Sequence, residues 1–286
     1  MDDFYPAGDE HVLVYEVTGR LVPAGGIPLA RGVVVNNVET LMNVALAQGG
    51  IAVTRKFVTV AGEVNRPATY RVAIGTTVAH LLELAGGVRE EHRSDFEVML
   101  DGPMMGRVLD RGTDLGAVQV SAITSGVIVL PTRHPSLTER RQSMEHQVRM
   151  ARSACIQCTM CTDACPRYLL GHELRPHIIM RTIGHAADPA LADRPREREE
   201  LLMAGLCTEC GVCSLVCPMG LAPRSVNARV RRAMAAGGLR WNTLSGDDGT
   251  RVRLHPARRG RLIPSGRVAA RLRLGQYLHV EELVEA

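Results

Sequence analysis

The eight cysteines of this chain fall into two runs of identical spacing. The first is Cys155-Ile-Gln-Cys158-Thr-Met-Cys161-Thr-Asp-Ala-Cys165-Pro166. The second is Cys207-Thr-Glu-Cys210-Gly-Val-Cys213-Ser-Leu-Val-Cys217-Pro218. Each reads C-x2-C-x2-C-x3-C-P, the ligand spacing of bacterial two-cluster [4Fe–4S] proteins. Three thiolates set two residues apart curl the chain round three iron corners of one cube. The fourth cysteine of each run reaches the other cluster. The expected ligand sets are Cys155, Cys158, Cys161 and Cys217 for one cluster, and Cys207, Cys210, Cys213 and Cys165 for the second. Pro166 and Pro218 end each turn and free the fourth ligand from helical register. Two rival chemistries fit less well. Zinc ribbons use paired C-x2-C knuckles rather than four-cysteine runs. Disulfides need an oxidising compartment, and the start Met1-Asp-Asp-Phe-Tyr-Pro lacks the features of an export signal, so a cytoplasmic setting is expected.

Helices must position these runs. From Tyr168 to Met180 apolar residues recur at helical intervals, with Pro176 interrupting them. Glu197–Gly205 is a second helix candidate with acidic residues early. Ser136-Leu-Thr-Glu139 reads as a capping box opening a charged helix from Arg140 to Arg152. His134 and His146 are expected to face solvent. A further helix, Pro223 to Ala236, follows the second run. A long helical spacer between two such runs resembles the α-helical ferredoxin module of respiratory iron–sulfur proteins.

Composition bounds the rest. The 286 residues are 45% hydrophobic, enough for two or three small domains, and only 3% aromatic, so the cores must be aliphatic. The net charge is +4, carried by arginine with Lys56 as the lysine. The segment from Arg251 to Arg273 is rich in arginine. It lacks the aromatic residues that stack on nucleic acid, so a solvated or partner-facing stretch is expected and nucleic acid is not. No apolar run reaches the length of a membrane span.

The amino-terminal stretch carries Tyr5-Pro-Ala-Gly-Asp-Glu10, then Gly25-Gly-Ile-Pro-Leu-Ala30, then Val33-Val-Val-Asn-Asn-Val-Glu-Thr-Leu41. Val33 to Val35 read as a short buried strand, and Glu39 to Ala47 as a helix. A strand end followed by a helix start is a common ligand-binding corner. Gly8-Asp9-Glu10 and Asn36-Asn37-Val38-Glu39-Thr40 resemble, in order and approximate spacing, elements of the complex I 51 kDa subunit family that line FMN. That resemblance implies FMN contacts from Gly8, Asp9, Glu10, Asn36, Asn37 and Thr40. Read by themselves, Asn36 and Asn37 also suit a turn with side-chain hydrogen bonds. The family's glycine-rich nucleotide loop lies upstream of these elements. No such loop precedes Gly8, so an NADH site is not expected within these residues.

Residues 55–105 read as a strand, Lys56–Gly62, a turn and second strand within Glu63–Tyr70, and a helix, Thr77 to Ala85, closed by Gly86-Gly87. They resemble the soluble-ligand-binding β-grasp (SLBB) domain. No acidic, histidine or hydroxyl cluster stands out there, so a spacer role is expected. Met104 and Met105 in Asp101-Gly-Pro-Met-Met-Gly106 suit packing better than metal ligation. Ser125–Pro131 reads as a strand returning to the flavin domain. The expected organisation is α+β: a partial flavin-type α/β domain (1–54), the β-grasp domain (55–105), a return segment (106–135), a two-cluster helical ferredoxin (136–237) and a basic tail (238–286).

This order resembles electron-transfer proteins related to the C component of the Rnf electron-transport complex. Through Tyr5–Glu10 and Val17–Leu29 it also resembles the flavin/iron–sulfur cobalamin reductases of propanediol-utilisation microcompartments. Those families have further regions upstream and downstream, so the resemblance implies a partial chain. It also implies electrons passing from NADH through FMN and two [4Fe–4S] clusters to a corrinoid. The partners would be a cobalamin adenosyltransferase or corrinoid enzyme, and the setting the cytoplasm or a microcompartment. Two alternatives stand beside it: an Rnf-type protein peripheral to the cytoplasmic membrane face, with Rnf-type partners, and a ferredoxin-like relay without enzymatic activity.

Overall fold

A computed structural model describes residues 2–185, 195–241, 252–277 and 281–285. The chain forms two compact units, Met1–Val35 with Gln142–Arg271, and Asn36–Arg141 with Leu272–Ala286.

The second unit is built on a six-stranded sheet. Its strands are β1 (Arg55–Gly62), β2 (Ala68–Ala73), β3 (Phe96–Leu100), β4 (Arg107–Val108), β5 (Gly126–Pro131) and β6 (Glu281–Glu285), in the order β4-β3-β5-β1-β2-β6. β1 and β2 pair antiparallel, Val60 opposite Ala68, while β5 runs parallel to β1 and antiparallel to β3. Alternation puts Val58, Val60, Tyr70, Val72, Val127 and Val129 on one face. Helix Val78–Leu84 covers that face with Val78, Leu81 and Leu82, and its first turn is capped by Thr77, which accepts from the His80 amide. Met99, Leu130, Leu137 and Leu274 form a separate cluster. Gly62 sits at φ +94°, and a Cβ there would stand 1.9 Å from the Val129 carbonyl oxygen, so only glycine fits where β1 meets β5.

This sheet revises the expected return segment. Gly126–Pro131 does not leave for another domain but lies between β3 and β1. Its near-continuous apolar run is what a strand buried on both faces requires. The basic tail is revised in part. Arg251 lies outside the described residues, but Arg258 is buried against Glu16, Arg261 pairs with Asp163 at 3.1 Å, and the Arg271 Nε donates to the Leu215 carbonyl at 2.7 Å. Arg258 is thereby enclosed in the first unit and Arg261 half-buried, while Arg253, Arg259, Arg267 and Arg271 stay exposed, as the sequence led one to expect. Past them, β6 joins the second unit's sheet beside β2. Val33–Val35 form no strand; they lead, half-buried or exposed, into helix Val38–Gln48.

The first unit is helical around the cysteine runs. Helix Met144–Ala154 packs on Pro176–His185, which in turn meets Pro195–Leu202 and Pro223–Ala236. Ile179 with Ile183, and Val226 with Val230 and Met234, repeat every four residues and share one core with Leu201 and Leu206. Prolines open three of these helices, where a missing amide costs nothing. Pro176 therefore starts a helix instead of interrupting one. The predicted charged helix also divides. Ser136 lies inside Pro135–Arg141, and the capping serine is Ser143, whose hydroxyl accepts from the His146 amide. His134 is buried, its Nδ1 accepting from the Ser136 amide and its Nε2 facing the Arg273 carbonyl. His146 is half-buried.

Candidate metal centres

Both cysteine runs fold the same way. Each leaves a helical segment at its first cysteine in extended backbone, Cys155 and Cys207. Two left-handed residues follow, Gln157 (φ +52°) and Thr159 (+63°) in the first run, Glu209 (+58°) and Gly211 (+86°) in the second. These turns curl the chain before the one-turn helices Met160–Asp163 and Val212–Leu215, which carry Cys161 and Cys213. Cys155, Cys158, Cys161 and Cys217 line one cavity. Cys165, Cys207, Cys210 and Cys213 line another. The last cysteine of each run thus stands with the first three of the other.

The donor set suits a cluster better than a single ion. All eight thiols are free of disulfides. Among the described residues, the group of three or more metal-type donors lying within 4.8 Å of one another is Glu63, Glu91 and His92, not a cysteine set. Sulfurs on one zinc ion, about 2.3 Å from the metal, would be closer than that. Cysteines spread more widely round a cavity fit a body with several irons. Burial, and then the neighbouring sulfurs of Cys155, Cys158 and Cys217, push the Cys161 thiol up to about 12. Burial raises Cys165, Cys207 and Cys213 as well, and takes Cys210 to about 11. Thiols held neutral this way ionise when a cation binds them.

The surroundings differ. The first cavity is walled by Met180, Pro218, Met219, Leu221 and His177, with Cys158 exposed. Burial, then Arg181 and Arg175, lower the pKa of His177. The Gln157 Nε2 donates to Cys155 Sγ at 3.1 Å. In the second cavity Cys165, Cys210 and Cys213 are buried, and Arg167, Glu209 and Asn227 join the lining. The Glu209 amide donates to Cys207 Sγ at 3.3 Å, and the Asn227 Nδ2 stands 4.0 Å from the same sulfur. Arg167 is 8% exposed and pairs through one guanidinium nitrogen with Asp9 Oδ2 at 3.3 Å; its Nε has no hydrogen-bond partner among the described residues. Sequence reasoning passed over Arg167, Asn227 and Gln157. The available signal was a charge directly after Cys165-Pro166.

Behind Arg167 sits a pair of histidines. His11 and His172 meet edge to face with ring centroids 5.3 Å apart, each with its Nε2 3.1 Å from a carbonyl, Gly26 and Val22 respectively. Burial, and then the Arg167 charge, depress His11 to about 3 and His172 to about 4.

The six residues matched to flavin contacts divide between the units. Gly8, Asp9 and Glu10 belong to the first and Asn36, Asn37 and Thr40 to the second. Asp9 has two structural partners. Its Oδ1 caps helix Glu10–Thr18 on the His11 and Val12 amides, and its Oδ2 holds Arg167. Asn37 caps helix Val38–Gln48, accepting from the Glu39 amide at 2.9 Å. Gly8, Glu10, Asn36 and Thr40 are exposed. Asp9 and Asn37 thus serve as helix caps, and Asn37 is exposed like the other four. Glu39, at the start of helix Val38–Gln48, takes Lys56 Nζ at 2.7 Å and the Phe57 amide at 3.0 Å.

The β-grasp segment also holds a cluster the sequence had not suggested. Glu63 is buried, pairs with Arg89 at 3.3 Å and accepts from the Tyr277 hydroxyl, with His92 at 3.8 Å. Tyr277 lies more than two hundred residues away, so no local pattern could reveal it. Of the two methionines, Met104 is buried and Met105 is exposed.

Family models match residues 154–222 as a 4Fe-4S dicluster domain, 57–108 as an SLBB domain and 1–46 as a Nuo51 FMN-binding domain. The chain is 39% identical over its whole length to cobalamin reductase PduS of Salmonella typhimurium and 38% identical to that of Citrobacter freundii. It covers 59% of each of these relatives. The C component of an ion-translocating oxidoreductase complex from Cronobacter sakazakii is 38% identical over 59% of this chain and 20% of its own length.

Proposed function

We propose that this relative of the cobalamin reductases passes single electrons through two [4Fe–4S] clusters toward a corrinoid. The first cluster is held by Cys155, Cys158, Cys161 and Cys217, the second by Cys165, Cys207, Cys210 and Cys213. The observation that carries the reading is the pair of four-thiol cavities, each assembled from both runs. A bound cluster supplies one-electron exchange. The chain's own work is to orient the thiols through the left-handed turns, to shield Cys165, Cys210 and Cys213 from water, and to offer an exposed edge at Cys158.

NADH and FMN enter as parts of the whole reductase. Gly8, Asp9, Glu10, Asn36, Asn37 and Thr40 are the positions that the likeness to flavin-binding elements offers to FMN, with nicotinamide binding elsewhere. The whole-length likeness to cobalamin reductases supports a corrinoid acceptor, a corrinoid enzyme or adenosyltransferase as partner, and a place in a propanediol-utilisation compartment. No helix among the described residues is long and apolar enough to cross a membrane. The Rnf-type reading, with membrane-complex proteins as partners, draws on a likeness that covers only part of the chain.

The test is anaerobic reconstitution with iron and sulfide. About eight irons per chain are expected, together with two paramagnetic signals on reduction. The reduced protein is then mixed with cob(III)alamin and followed by absorbance. Prompt oxidation of the clusters supports the corrinoid reading. Loaded clusters that do not react with cob(III)alamin overturn it and favour the Rnf-type alternative.

A further inference from the structure

The two cavities share their ligand chemistry but not their electrostatics. Among the described residues, no Asp, Glu, Lys or Arg lines the first. Arg167 and Glu209 line the second. Glu209 is answered by Arg231 at 2.5 Å, a pair open to water on both sides, so solvent screens it. The Arg167–Asp9 pair is different, with both side chains at most 9% exposed. Asp9 is absent from the cavity wall, whereas Arg167 forms part of it and has a buried Nε without a partner among the described residues. A buried guanidinium beside four thiolates acts through a low dielectric, where a charge a few ångströms away weighs far more than at the surface.

Burial has an opposite effect. Reduction adds negative charge to a cluster, and a site shut off from water resists added charge. Seclusion of Cys165, Cys210 and Cys213 by itself therefore drives the second cluster's potential down. A fixed positive charge beside it favours the reduced form.

We propose that Arg167 is a positioning residue for electron transfer: it holds up the reduction potential of the second cluster against the burial of its ligands, and Asp9 sets how strongly it does so. This rests on the two-cluster reading above. It gives the buried ion pair a role that neither the spacing of the cysteines nor the stability of the fold requires. Asp9 also explains its own placement, since the residue that caps helix Glu10–Thr18 anchors the counter-charge at a fixed point behind the guanidinium.

The experiment is a redox titration of the anaerobically loaded full chain, followed by electron paramagnetic resonance. The second-cluster signal is identified as the one lost in Cys210→Ser. In Arg167→Gln its midpoint should move to more negative potential while the other signal stays in place. In Asp9→Asn it should move the opposite way, because asparagine keeps the helix cap and removes only the charge. Opposite shifts confined to one cluster cannot come from loosened packing. If Arg167→Gln fails to load, Asp9→Asn decides alone. Unmoved midpoints in the loaded variants, or a negative shift in Asp9→Asn, overturn the proposal. Failure of the unsubstituted chain to load any cluster overturns the iron–sulfur reading instead.

Discussion

The first cavity is open at Cys158 and has no Asp, Glu, Lys or Arg among the described residues of its wall; the second has three of its four cysteines buried and is walled in part by an arginine. The two runs agree at their four cysteines and closing proline and differ at every position between them. The ligand pattern determines which group is bound. The residues between and behind the ligands determine how that group behaves. A motif repeated within one chain thus need not mean a function repeated.

Ligand removal should have the largest effect on this comparison. Cys165→Ser and Cys210→Ser should each reduce the iron content by about half, from about eight to about four, and leave the same residual spectrum. Cys217→Ser and Cys158→Ser should leave the other one. If Cys165→Ser instead matches Cys158→Ser, the last cysteines stay with their own runs.

Acid should act next, through the histidine pair behind Arg167. Both rings have native pKa values depressed by burial, to about 3 and about 4, against about 6.5 in an unfolded chain. The unfolded chain then binds more protons below pH 6.5, so their contribution is full above that pH and lost as pH falls toward 4. The expected loss is up to about 1.4 kcal/mol per pH unit for each histidine. Denaturant unfolding at pH 7 and pH 5 measures it, and His172→Gln should flatten the dependence. An unchanged slope in that variant would rule out the pair as its source.

Two backbone exchanges give smaller effects. Gly211 and Thr159 occupy equivalent left-handed positions. Gly211→Thr should destabilise the protein by about 1–2 kcal/mol, since a side chain in that conformation is strained. Thr159→Gly should stabilise it by up to about 1 kcal/mol, the relief being partly offset by the greater freedom of glycine in the unfolded chain. Thermal unfolding of both variants reports the signs. A loss in Thr159→Gly would mean that the Thr159 side chain, which donates to Asp163 Oδ2 at 3.1 Å, matters more than its backbone strain.

Much of this was readable because it is local. The cysteine spacing, the strand Lys56–Gly62, the Gly86-Gly87 stop and the helix from Pro223 to Ala236 each depend on neighbours a few residues apart. What was hidden depends on distant partners. Val33–Val35 has strand composition but no strand to pair with. Gly126–Pro131 has the composition of a buried strand, and nothing in it says which sheet receives it. Arg258 and Arg261 look solvated until Glu16 and Asp163 come round to meet them. Asp9 gave a local signal, an acidic residue just before a helix, and the likeness to a flavin-binding element drew attention away from it.

The exchange of final cysteines also bears on inheritance. Two tandem copies of a motif usually leave one free to decay while the other carries on. Here each copy lends a thiol to its neighbour's cavity, so neither run is a spare. Deleting the whole second run would take three sulfurs from one site and the fourth from the other. The expected remainder is a three-cysteine cavity with less than a full cluster's iron, not a working one-cluster protein. A lineage that once exchanged these ends could not shed half of the pair without damaging what it kept.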